Sequence, residues 1–183
     1  GLLARARFEP AHVSAMPTSK LPPPAPTTPL APASPHPGGR QRVLVVDDHP
    51  FMRAGLGQLI DKQPDLCVCG EAGDPATALQ WVSKNPVDLV LSDITMPGRS
   101  GIEFIKDLLA LKPKLAILVV SMHDETLYAE RVLRAGGRGY IMKEAGGEAL
   151  LAAIRQVLSG GIYVSTQISA NILEAMSGRK PRG

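Results

Sequence analysis

Two cysteines in 183 residues are too few for a disulfide scaffold, and no segment strings together eighteen apolar residues, so no membrane-spanning helix is read. No stretch couples a basic segment to an apolar run and a small-residue cleavage site, which leaves no secretory signal and makes a cytoplasmic location the expectation. Proline is sparse after residue 40: ten of the 17 prolines lie in residues 1–40, where Phe8 is the one aromatic side chain and apolar periodicity is almost missing. Such a segment cannot bury enough surface to offset its ordering entropy, so residues 1–40 are expected to form a disordered Pro-rich tail. Within it Pro23, Pro26, Pro29, Pro32 and Pro35 recur every third residue and would share one edge of a polyproline II helix, as a spacer or as a ligand for an SH3-like or WW-like partner. The chain opens on Gly1, and Met16 is a candidate natural start.

A basic folded surface is missing too, despite a net charge of +3 and a pI near 9.0. Residues 1–40 carry +3 and residues 178–183 another +3, so residues 41–177 carry −3. Phosphate contacts need cations on a folded face, and here the basic excess sits at the ends. Specific DNA binding by this chain alone is not expected.

From Arg42 onward short apolar runs alternate with helical periodicity. Val43–Val46, Val87–Leu91 and Ala116–Val120 are nearly continuous runs, as in parallel strands buried on both faces; Leu66–Gly70 and Gly139–Met142 are shorter candidates. Between them Leu56/Leu59/Ile60, Ala78/Leu79/Val82, Ile102/Ile105/Leu108/Leu109, Tyr128/Val132/Leu133 and Leu150/Leu151/Ile154/Val157/Leu158 form one-sided helical stripes. The alternation is α/β: a doubly wound, flavodoxin-like (βα)5 fold with a five-stranded parallel sheet, whose ligand site is expected beyond the carboxyl ends of the strands. After Gly160-Gly161, Ile168/Ile172/Leu173/Met176 suggest a short amphipathic helix before a basic end. The expected organisation is a tail over 1–40, a domain over 41–160 and a linker with a short helix over 161–183.

Polar residues stand where the strands end: Asp47-Asp48 after the first, Asp93 after the third, Ser121 after the fourth and Lys143 after the fifth. Three carboxylates at one edge repel one another unless a cation joins them, which implies a hard divalent ion, Mg²⁺ best of all. A carboxylate beside Mg²⁺, an ammonium and a hydroxyl is what phosphoryl transfer to aspartate requires. Asp93 is the natural nucleophile, because it opens the Asp93–Gly101 loop, whose Pro and Gly turn signals bring it to the rim.

The runs VLVVDDHP, LVLSDITMPGRSGIE, ILVVSMHDE and GYIMKEA, in this order, resemble the receiver domain of two-component response regulators over about residues 41–160. The resemblance implies strand order 2-1-3-4-5. It also implies Asp93 as phosphoacceptor, Asp48 binding Mg²⁺ directly and Asp47 through water, and the Thr95 carbonyl as a further ligand. Ser121 would be the switch hydroxyl, Lys143 its cationic partner and Tyr140 the aromatic that swings inward when Ser121 is recruited. His123, two residues past Ser121, is a possible modulator of phosphoryl lifetime or an ordinary loop histidine. Asp48–Leu56 and Gly160–Ser165 are similar to the NarL/FixJ (LuxR-type) subfamily, which attaches a helix-turn-helix domain after such a linker. The expected partners are a sensor histidine kinase, a second copy on activation and, through a C-terminal domain absent from this chain, DNA. The expected role is that of a regulatory switch and not an enzyme.

Blander readings stand beside these. An Asp-Asp pair can be a solvated turn, Lys143 a surface residue and Tyr140 a packed aromatic. Cys67 and Cys69 read as small apolar fillers, and Trp81 as packing. A haloacid-dehalogenase phosphatase needs a second aspartate where Thr95 stands; a flavodoxin needs a phosphate loop where the two acids stand. A stand-alone receiver, or a pseudo-receiver acting by protein–protein contact, remains the alternative.

Overall fold

The structure is a computed structural model and describes residues 39–96 and 99–178. The Pro-rich tail, its polyproline edge and the basic C-terminal residues lie outside that range. Eleven principal elements follow in order: β1 (Gln41–Val46), α1 (Pro50–Asp61), β2 (Leu66–Ala72), α2 (Pro75–Lys84), β3 (Leu89–Ser92), α3 (Gly101–Leu111), β4 (Ala116–Ser121), α4 (Glu125–Arg134), β5 (Gly139–Met142), α5 (Gly147–Leu158) and α6 (Thr166–Met176). All strand pairs are parallel, in the order β2-β1-β3-β4-β5. This is the expected doubly wound sheet.

The nearly continuous apolar runs are explained by burial on both faces. Leu44 and Val46 of β1 join Val90, Ile117 and Val119 in a core with Ala78, Phe104, Leu108 and Val132 of α2, α3 and α4. Val43 and Val45 face the other way, onto Ile60 of α1 and Ile154 and Val157 of α5. Side chains alternate across a pleat, so a strand covered on both sides has no position left for a polar residue until it emerges at its end.

Two strand boundaries differ from the sequence reading. β2 runs two residues past Gly70, because Glu71 and Ala72 still pair with Val45 and Val46. β3 begins at Leu89 rather than Val87: Asp88 instead receives the Arg42 backbone N–H (2.7 Å) and side-chain Nε (3.3 Å), tying the lower end of β3 to β1. Trp81 packs across the Gly70 backbone, and burial pushes the Cys69 thiol up to about 11, so Cys69 is a neutral filler.

After α5 the chain turns back onto the sheet. Tyr163 bridges Gly139 in parallel; its carbonyl accepts from Tyr140 N (3.0 Å) and its N–H donates to the Arg138 carbonyl (2.9 Å). Ser165 caps α6 by accepting from Ile168 N. The expected four-residue stripe divides: Ile168 is buried and Ile172 partly so, while Leu173 and Met176 face outward. One helix face suffices against α4, and positions 173 and 176 turn away from it.

At the start of α3, a Cβ on Gly101 would stand 2.4 Å from the Ile94 carbonyl oxygen and 2.8 Å from Ile94 Cα. Backbone cannot yield as a side chain can. Gly101→Ala is expected to cost about 2–3 kcal/mol in urea unfolding, the upper part of the usual overpacking range; an unchanged midpoint would show that the loop gives way.

Candidate functional site

Four of the five strand ends, those of β1, β3, β4 and β5, deliver polar groups to the same rim. Asp47 and Asp48 follow β1, Asp93 follows β3, Ser121 closes β4, and Lys143 opens a single 3₁₀ turn after β5. Asp47, Asp93 and Ser121 are buried. The Lys143 ammonium joins the ends of the neighbouring inner strands β3 and β1, donating to Asp93 Oδ2 (2.8 Å) and to Asp47 Oδ2 (2.9 Å). Burial by itself would pull the Lys143 ammonium down, but its bonds to Asp93 and Asp47 outweigh that and hold its pKa above the ordinary lysine value.

The remaining oxygens are unequally provided for. Asp47 Oδ1 accepts from His49 N (2.8 Å) with His49 Nδ1 at 3.1 Å. Asp93 Oδ1 accepts from Thr95 N (3.1 Å) and Thr95 Oγ1 (3.3 Å). Asp48 Oδ1 is shielded from solvent and receives no hydrogen bond; His49 Nδ1 lies 3.0 Å away, out of line for one. Oxygens of Asp47, Asp48 and Asp93, with a His49 ring nitrogen, come within 4.8 Å of one another. This is a compact oxygen-rich set of the kind a hard divalent cation takes. A buried acceptor without a donor costs free energy, and a cation would relieve it.

Ser121, Tyr140 and His123 form a second, linked group. Ser121 Oγ accepts from His123 N (3.0 Å), while the Tyr140 hydroxyl donates to the His123 carbonyl (2.8 Å). Tyr140 is only 1% exposed, already turned into the core beneath the β4–α4 loop. Burial raises its phenol above the usual tyrosine value. The His123 ring reaches across to Thr95 Oγ1 (3.2 Å) and meets Tyr128 edge to face. Thr95 and His123 therefore connect the two loops over Asp93.

All eight residues singled out in the sequence come to this rim. His49 is the residue that sequence reasoning missed; its place directly after two acids was the available signal. Cys67, Cys69 and Trp81 are not part of it: they belong to β2 and α2, outside the group of side chains described above.

Residues 43–155 match the response regulator receiver domain family. Response regulator GacA of Pseudomonas aeruginosa is 37% identical over 131 residues, covering 72% of this chain and 61% of that protein. The transcriptional regulatory protein DegU of Brevibacillus brevis is 32% identical over 133 residues, covering 73% of this chain and 56% of that protein. The crystal structure of a LuxR-family two-component response regulator from Aurantimonas sp. SI85-9A1 is 32% identical with a TM-score of 0.69, and the match covers 75% of this chain and 99% of that one. The chain thus spans little more than half the length of the curated relatives it matches. With the family match running across β1 to α5 and the sheet order in agreement, the chain belongs to the response regulator receiver domain family of two-component systems, in its NarL/FixJ (LuxR-type) branch.

Proposed function

We propose that Asp93 is the phosphoacceptor, supplied by a sensor histidine kinase in the presence of Mg²⁺. The observation that carries this reading is the pairing of buried Asp93 and Asp47 through one ammonium, beside an Asp48 oxygen that lacks a donor. An Asp93 carboxylate oxygen attacks phosphorus, the new P–O bond forms as the P–N bond of the kinase phosphohistidine breaks, and the imidazole leaves. Lys143, already 2.8 Å from Asp93, follows the charge onto a phosphoryl oxygen. The residues present fit Mg²⁺: Asp48 and Asp93 as direct ligands, Asp47 through water, and the Thr95 carbonyl. When bound, the ion neutralises the phosphoryl oxygens.

Ser121 reaches a phosphoryl group by giving up the His123 N–H, and that loosens the loop to which Tyr140 is also bonded. The state of Asp93 thereby shifts the population of arrangements of α4 and β5. Amide shifts on adding beryllofluoride, a phosphoryl mimic, are expected to spread across residues 121–145; changes confined to the neighbours of Asp93 would favour a pseudo-receiver. His123, bonded to Thr95, is placed to regulate water access to the phosphoryl group and hence its lifetime.

For the whole protein we propose transcription regulation through a C-terminal helix-turn-helix domain, with dimerisation on activation. DegU, a transcriptional regulatory protein, and the greater length of both DegU and GacA support this reading. Among the described residues no helix is long and apolar enough to cross a membrane. The direct test of the metal reading is a Mg²⁺ titration: wild type is expected to bind and to label with acetyl phosphate only when Mg²⁺ is present, and Asp48→Ala to lose both. Undiminished binding by Asp48→Ala would remove Asp48 from the ligand set.

A further inference from the structure

Arg53 lies one turn into α1, within the motif Asp48–Leu56, and no step above uses it. Its Nη1 donates to the main-chain carbonyl of Asp47 at 2.6 Å, and its Nε lies 3.7 Å from Glu71 Oε2 on β2. A second feature fits the same side chain: a Cβ on Gly73, just after β2, would come 3.1 Å from Arg53 Nη1. The glycine leaves the guanidinium its passage between α1 and the end of β2.

The carbonyl that Arg53 holds belongs to the peptide joining Asp47 to Asp48. The other side of Asp47 is tied as well, because its N–H donates to the Ala72 carbonyl (3.0 Å). The Asp47 carboxylate has its own restraints in Lys143 and His49. Asp48 Oδ1 accepts no hydrogen bond and has only the His49 ring nitrogen beside it at 3.0 Å, so the direction of that carboxylate leans on the backbone that carries it. Rotation of the 47–48 peptide would swing Asp48 away from Asp93, and Arg53, gripping the carbonyl of that peptide, opposes it together with the Asp47 carboxylate, which accepts from His49 N on its far side. Capping does not do this work: His49 at the N-cap makes no side-chain cap bond, and the first turn of α1 holds no acid.

We infer that Arg53 is a positioning residue that aims Asp48 at the cation site, acting through the Asp47 carbonyl and not by touching the ion. This rests on the reading of Asp48 as a Mg²⁺ ligand. The guanidinium suits the task because its rigid fork serves the carbonyl and Glu71 together, which a single ammonium cannot do.

The experiment is Mg²⁺ calorimetry on the full chain as wild type, Arg53→Met and Arg53→Lys, each with a thermal midpoint. Arg53→Met is expected to weaken Mg²⁺ binding about tenfold or more, the usual effect of removing a group that orients a ligand. Arg53→Lys is expected to recover part of the loss, and supplies the measurement if Arg53→Met folds poorly. In the ion-free protein, exchange of the His49 amide is expected to quicken in Arg53→Met. Wild-type affinity in both folded variants would overturn the inference and leave the metal reading intact. Failure of wild type itself to bind Mg²⁺ would overturn both.

Discussion

Acetyl phosphate with Mg²⁺ is expected to add a single phosphoryl group to the wild-type chain and none to Asp93→Asn. The carboxylate is 5% exposed and oriented by Lys143 at 2.8 Å and Thr95 N at 3.1 Å, so one oxygen is held for attack while its charge is balanced. An amide in its place keeps the shape and loses the nucleophile, so labelling falls to background. Intact mass gives the stoichiometry, and hydroxylamine distinguishes an acyl phosphate from a phosphoserine on Ser121. Labelling retained by Asp93→Asn would move the acceptor elsewhere on the rim, and the chemistry proposed for Asp93 would fail.

The largest expected effect on stability follows from removing Lys143. Its side chain is 5% exposed and bonds two carboxylates that are themselves 2% and 4% exposed. Lys143→Met leaves these like charges facing one another without a cation, a change that typically costs about 3–5 kcal/mol when one partner of a buried pair is lost. Asp47→Asn in the same chain is expected to return much of that loss, and so is Mg²⁺.

The pH dependence has a definite sign. The folded pKa of Lys143 is raised, so its contribution is fully present below the ordinary lysine pKa and is lost as pH rises through the folded value. Wild type should therefore show an alkaline loss of stability that Lys143→Met lacks. Urea midpoints from neutral pH into the lysine range measure it; parallel profiles for the two proteins would mean that the ammonium contributes nothing to the fold.

Legibility in the sequence followed local rules. Asp47, Asp48, Asp93, Ser121 and Lys143 could be picked out because each ends an apolar run that alternation cannot explain, and such runs arise only where both sheet faces are covered. Boundaries were less legible: whether Glu71 belongs to β2 depends on pairing with Val45, which no property of Glu71 announces. The α6 stripe marks the helix, but which of its residues are covered is decided by α4, which offers Ile168 and Ile172 a surface and leaves Leu173 and Met176 outside. Tyr140 was legible as an aromatic three residues before Lys143, but its inward hydroxyl depends on the carbonyl of a loop 17 residues earlier.

What the sequence by itself determined is therefore which residues stand at the rim, because a strand buried on both faces turns polar only where it leaves the core. The pairing of the Asp47 and Asp93 carboxylates through Lys143, and the place of Asp48 beside them, were decided by tertiary structure. Lys143 meets Asp47 and Asp93 across 96 and 50 residues of chain, Arg53 finds the Asp47 carbonyl by folding α1 back over β1, and Asp48 is left without a donor. The Lys143 contacts depend on the order and register of strands brought together from distant parts of the chain, and the Arg53 contact on the path of the β1–α1 turn; no local periodicity encodes them.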